Sequence, residues 1–339
     1  MVWLCLFCPT LIAHMFNRVS TLVFGLAALL FFATVLYTFR EVDILGILQG
    51  ITFAELIEVL LLGLVFHLSF GVIMWVGFLL HYKLKLKPIE ILTLPMMMHL
   101  FLYLMPMKGG MLFQVFYTKH KYNLDLSKGF SLGMTVFFNS IFLTVFLGLG
   151  LAYLIPVESV ELRATILAMG IGLLGLVFGL KLIPSNLKTG SGIITSLVNF
   201  LLKVRVQLED QVKNMKLFFG LLITTFISVT VQTYWIWITA QTMGIYTGFA
   251  PMYLMVLILR IILLIRILPG NLGIQEVMIG AVFAAAGFNL EDGLLLGVIT
   301  RLISVFWTAI IGLPALYSNL KYFNSVSLRG LIQKVGRSE

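Results

Sequence analysis

The sequence predicts an all-α polytopic membrane protein, with six full spans and two Pro/Gly-broken helical hairpins arranged as inverted repeats. Three observations carry this. First, 60% of the 339 residues are hydrophobic and only 11% charged, where a soluble domain has roughly 45–50% and about 25%. Mean hydropathy is +1.06. Second, six apolar runs reach the ~20 residues that cross a bilayer, and two more are interrupted by Pro and Gly. Third, Lys and Arg gather in alternate loops. So few charges cannot clothe a globule in water. A DNA-binding module, a secreted disulfide scaffold and a cytosolic enzyme are excluded.

Residues 1–18 form an expected cytoplasmic N-terminal segment. Met1 to Phe16 is apolar but short, lacks a basic start, and runs into Asn17-Arg18 and a full span. It does not fit a cleavable signal peptide, and Met15 is an alternative start. Cys5 and Cys8 have Cys-x-x-Cys spacing with no second pair, a weak metal or redox signal. The six spans are 19–39, 56–80, 130–154, 163–183, 217–241 and 292–317. One interrupted run covers 88–105, breaks at Pro106-Met-Lys108-Gly-Gly110 and resumes through 111–120. The other covers 251–268, breaks at Pro269-Gly270-Asn-Leu-Gly273 and resumes through 274–288. Each second arm is short for a crossing. Both runs are expected to be hairpins, re-entrant or steeply tilted, with the break at the tip.

Charge orients these elements. With Arg18 inside and each hairpin returning to its own side, 18 of the 23 Lys and Arg face the cytoplasm. The other side is acidic, with Glu55, Glu58, Glu158, Glu161, Glu291 and Asp292 among its residues. This satisfies the positive-inside rule with both termini cytoplasmic in an inner (cytoplasmic) membrane. The order span, hairpin, span then occurs twice, at 56–154 and 217–317, with opposite orientation. Inverted repeats with broken helices are a transporter architecture. One flippase-like domain is expected over 19–320, followed by a basic cytoplasmic tail at 321–339. The segment 184–216 joins the repeats, either as an amphipathic helix on the cytoplasmic face or as a plain connector.

Charge inside hydrocarbon is expensive and needs partners. The second half holds Arg260, Arg266, Glu276 and Arg301 in apolar segments. Arg260 and Arg301 each lie about nine residues into their segments, or ~13 Å deep at 1.5 Å per residue. Two guanidiniums against one carboxylate leave positive charge, and an Arg fork matches phosphate oxygens. The Pro269–Gly273 turn and the helix start near Ile274 add backbone N–H groups. These residues are expected to converge and bind an anionic group. The alternative is that Glu276 pairs with one Arg and locks the hairpin. In the first half, Lys108 at the tip is the candidate cation. His67 and His99 are expected to be packing residues, and Asn139 and Ser140 to bond between helices. No metal cluster, cofactor site or nucleophile–base arrangement is evident, so catalysis is not expected.

The run Arg266-Ile-Leu-Pro269-Gly270-Asn-Leu-Gly273-Ile-Gln-Glu276, with Gly287 and then Arg301 in the next span, resembles the lysylphosphatidylglycerol synthase transmembrane-region family. The resemblance covers about residues 15–320. Pro269, Gly270, Gly273, Glu276 and Arg301 match its second-half pattern. In the first half Pro106 and Gly110 match, but Met111 stands where the family has Glu and Gln114 where it has Arg. Phe137-Phe-Asn139-Ser140 replaces a charged cluster. The resemblance implies flippase-like movement of an anionic lipid headgroup, phospholipid or polyprenyl-phosphate sugar, across the inner membrane. It implies membrane lipids as partners, no nucleic acid, and a homo-oligomer or a membrane enzyme as further possible partners. No aminoacyl-transferase domain is expected in this chain. Two alternatives stay open: an accessory subunit of a glycosyltransferase or lipid-modifying enzyme, and an intramembrane transferase. With no ATP-binding motif, movement would be passive or ion-coupled.

Overall fold

A computed structural model describes residues 50–104, 109–154, 209–211, 213–262, 269–271 and 273–319, together with Gly172 and Val206. These residues are helical, with no strand among them. The elements are α1 (Phe53–Tyr82), α2 (Pro88–Leu104), α3 (Gly109–Tyr122), α4 (Leu126–Leu154), α5 (Met215–Thr242), α6 (Phe249–Ile262), a 3-10 turn (Pro269–Asn271), α7 (Ile274–Ala285), α8 (Leu290–Trp307), a π-turn (Thr308–Gly312) and α9 (Leu313–Asn319).

Local sequence explains the boundaries. Thr52 and Glu55 cap the start of α1 reciprocally: Glu55 N–H donates to Thr52 Oγ1 at 3.3 Å, and Thr52 N–H to Glu55 Oε2 at 2.8 Å. Lys83, in a left-handed conformation (φ 52°), ends it. Pro88 opens α2, where the missing N–H costs nothing. Asn214 caps α5 through a 3.1 Å bond from Leu217 N–H. Pro314 has no N–H to return to residue 310, and the chain widens into a π-turn just before it.

Among the described residues, four helical stretches are long and apolar enough to cross a membrane: Phe53–Tyr82, Leu126–Leu151, Met215–Thr242 and Leu290–Asn319. They correspond to four of the six expected spans. The expected spans 19–39 and 163–183, the tail 321–339 and most of the linker lie outside the described residues. The two interrupted runs are pairs of shorter helices, α2 with α3 and α6 with α7. The Pro269 break falls where the sequence placed it. Of the expected first break at Pro106–Gly110, residues 105–108 lie outside the described residues, and Gly109 and Gly110 already belong to α3.

Two large apolar cores and two smaller clusters form among the described residues. One large core gathers Ile73, Phe78, Leu94, Met97, Phe113 and Leu132 from α1 to α4. The other large core gathers Trp235, Met252, Val256, Ile279, Phe283 and Leu296 from α5 to α8. Helix α1 packs along α5 between them, and Ser69 Oγ donates to Ser228 Oγ at 2.9 Å across that seam. Partners then cross over. Helix α4 packs on α6, and the π-turn after α8 packs on α2. Phe146, Ile223 and Leu302 point outward, each more than half exposed. In water such residues would be a liability; against lipid tails they are the ordinary surface.

Candidate functional site

The second-half turn is built by residues that tolerate a left-handed backbone. Gly270 has φ 59°, Asn271 φ 51° and Gly273 φ 79°. Gly and, less readily, Asn occupy that region. The turn ends at Gly273, and α7 begins at Ile274. Glu276, in the first turn of α7, reaches back to accept the Gly273 N–H at 2.9 Å. This satisfies a backbone donor that the helix start leaves open and places negative charge at the positive end of the dipole.

Arg301 enters from α8. Its Nε donates to Glu276 Oε1 in a buried ion pair. Its Nη1 donates to the Gly270 carbonyl at 2.7 Å. Its Nη2 donates to the Asn271 carbonyl at 3.2 Å and to Gln275 Oε1 at 3.3 Å. Only 5% of Arg301 and 3% of Glu276 remains exposed, so both charges depend on each other and on the turn carbonyls. Gly270 also lies against α2, since a Cβ there would come within 2.7 Å of Tyr103 Cδ1. The second turn therefore touches the end of the first broken pair.

Arg260 differs. It lies on α6 and its Nε donates to Gln232 Oε1 on α5 at 2.5 Å. No carboxylate pairs with it among the described residues, whereas Glu276 is committed to Arg301. The structure thus brings Glu276 and Arg301 together and gives Arg260 a neutral partner. Arg266, Lys108 and Pro106 lie outside the described residues. Gly110 sits where α3 presses on α2, with room for no Cβ: one would lie 2.4 Å from the Met98 carbonyl oxygen.

Three polar groupings were not foreseen from sequence. Glu90, 2% exposed, accepts from Tyr117 Oη at 2.5 Å, from Tyr122 Oη, and from Lys87 N–H at 2.7 Å, and pairs with Lys121. A single carboxylate in the 88–105 run, with Tyr117, Lys121 and Tyr122 one turn apart on α3, was the available signal. Gln211, 1% exposed, bonds Tyr82 of α1 at 2.9 Å and Ser131 and Thr135 of α4. It ties the segment between the halves to the first half. His67 and His99 are not lone residues, because their rings meet at 4.7 Å. No group of three metal-ligating side chains occurs among the described residues.

The family model for the lysylphosphatidylglycerol synthase TM region matches residues 5–312. The chain belongs to this family. Neither a curated protein nor a solved structure matches it. As a member of the lysylphosphatidylglycerol synthase TM family with apolar membrane-length helices, it is a multi-pass integral membrane protein. The match spans both halves, Met111 and Gln114 of the first half included.

Proposed function

We propose that this protein moves an anionic lipid headgroup across the inner membrane, with Arg260 as its phosphate-binding cation. The observation that carries this reading is Arg260 itself: a guanidinium in an apolar helix, bonded to neutral Gln232 and paired with no carboxylate among the described residues. An Arg at the centre of a span costs about 2.5–3.5 kcal/mol on insertion scales. An anionic headgroup would offset that cost, and the Arg fork would hold two of its oxygens. Arg301 and Glu276 then organise the turn rather than grip the lipid. Arg266 and Lys108 remain proposed contacts on the same chemistry.

The crossed packing of α4 on α6 and of the π-turn on α2 supports an inverted-repeat arrangement, as does the Ser69–Ser228 contact between α1 and α5. We place both termini in the cytoplasm from the charge distribution. The test is reconstitution in vesicles holding labelled phosphatidylglycerol or labelled phosphatidylcholine. Faster exchange of the anionic lipid, lost in Arg260→Gln, supports the reading. No exchange above protein-free vesicles would defeat it.

A second reading has its own observation. Arg301 and Glu276 are satisfied inside the fold, as an accessory subunit with purely structural polar groups would have them. Recovery of a lipid-modifying enzyme with the purified protein, without lipid exchange, would favour that reading.

A further inference from the structure

His67 lies midway along α1 and is 1% exposed. Neither ring nitrogen has a hydrogen-bond partner. A neutral imidazole carries one N–H and one lone pair, so both a donor and an acceptor are buried unused. Buried polar atoms in native proteins are nearly always paired, and an exception calls for a cause such as a water or an ion. Beside it stands His99 of α2, its ring edge-on at 83° and 4.7 Å away. His99 Nδ1 is 2.9 Å from the Pro95 carbonyl oxygen. A carbonyl only accepts, so Nδ1 carries the hydrogen and Nε2 is the basic nitrogen.

The backbone around the pair is loosened on the α2 side. Pro95 has no N–H, so the Ile91 carbonyl is released from the α2 ladder. Gly71, one turn beyond His67, abuts that oxygen so closely that a Cβ would lie 1.7 Å from it. Helices α1 and α2 therefore touch through backbone at the point where α2 is least tied to itself.

We propose that the His67–His99 pair is a proton-binding site, one proton shared between two imidazoles, that couples lipid movement to pH. The coupling rests on the lipid-transport reading; the proton site does not. Two rings at this distance hold one proton more readily than two, because the second would be a like charge in a buried site. A proton on His67 would also place a positive charge one turn from the Gly71–Ile91 backbone contact, and so bias the α1–α2 seam.

Among the described residues of the helices around the pair, the other charges are distant or engaged. On α1, Glu58 and His81 are nine and fourteen residues away, ~13 and ~21 Å along the helix. Glu90 of α2 is nine residues from His99, again ~13 Å, and is paired with Lys121. Helix α5 brings Trp235, whose ring stacks on Phe66, and α8 brings Ile303; both lie against Gly63, one turn before His67. Arg301 of α8 is engaged with Glu276. Helix α4 meets α1 further along, with Leu132 against Gly77. His99 is thus the titratable group that faces His67 among the described residues.

The experiment has two arms on purified full-length protein. In the first, nitrogen-15 NMR of histidine-labelled protein in nanodiscs follows the five imidazoles between about pH 5 and 8, with assignment by His67→Gln and His99→Gln. Coupled titration of the two rings, replaced in either variant by a single independent site, supports the proton site. Two independent titrations, or none in that range, would overturn it. In the second arm, lipid exchange is measured over the same pH range. A pH dependence of severalfold that flattens in both variants supports coupling. An unchanged profile in both variants would overturn coupling. Absence of exchange at every pH would refute the transport reading, and coupling with it, while the NMR arm still decides the proton site. If His67→Gln fails to fold, His99→Gln carries both arms.

Discussion

The two interrupted helix pairs, α2 with α3 and α6 with α7, differ in what holds them. In the second, Glu276 stands against Gly297, and one turn further along α8 Arg301 completes an ion pair that gathers two turn carbonyls. In the first, Met111 stands against Gly133, and one turn further along α4 the residue is Phe137. Phe101 and Phe113 stack at 4.3 Å nearby. The ion pair of one half has become apolar packing in the other. What remains polar there is Gln114, fully buried with both amide atoms unpartnered. Charge thus fastens the second pair at its turn, and apolar packing holds the described helices of the first.

The largest expected effect breaks the charged half. Arg301→Met strands Glu276 in a buried site, so thermal unfolding should show a loss of about 3–5 kcal/mol. Arg301→Lys should recover part of it, since one point charge can meet Glu276 but cannot also reach both carbonyls. A loss of under 1 kcal/mol in Arg301→Met would show that the pair does not hold the turn.

The next sharpens the contrast from the other side. Met111→Glu introduces a carboxylate where α4 offers no cation, and should cost roughly 2–3 kcal/mol. Adding Phe137→Arg should return a good part of that cost if the two halves share one register. A double variant no better than the sum of the singles would show that the registers differ.

A smaller effect is expected at Glu90, whose partners all lie in the first half. Tyr117 and Tyr122 donate to different oxygens of Glu90; Glu90→Gln removes the charge and leaves only one of the two acceptors, so a loss of about 1–3 kcal/mol is expected. The check is thermal unfolding together with Lys121→Met. Losses that do not simply add would confirm that the two residues act as a pair.

The sequence was most informative where a residue restricts its own backbone or cannot be left alone in lipid. Pro269, Gly270 and Gly273 marked the second turn because few other residues adopt those angles. Four of the spans were legible from hydropathy, and Glu276 with Arg301 from the cost of unpaired charge. Contacts set by helix rotation were not legible. Gln232 as the partner of Arg260, Tyr117 and Lys121 around Glu90, and His67 against His99 all depend on which faces meet. The π-turn went unread because Pro314 acts through a freed carbonyl four residues earlier, without interrupting the apolar run. Nor was it legible that Arg260 would bond an uncharged amide on α5 while Arg301 takes Glu276, because that depends on which face of α6 meets α5.

The contrast between Arg301 and Arg260 is the most direct test of the account. Arg260→Gln should leave stability within about 1 kcal/mol, since it loses one hydrogen bond to Gln232 and strands no carboxylate. Exchange of labelled phosphatidylglycerol in vesicles should fall at least tenfold in the same purified sample. Unchanged exchange with a stable fold would contradict the assignment of Arg260 as the headgroup cation.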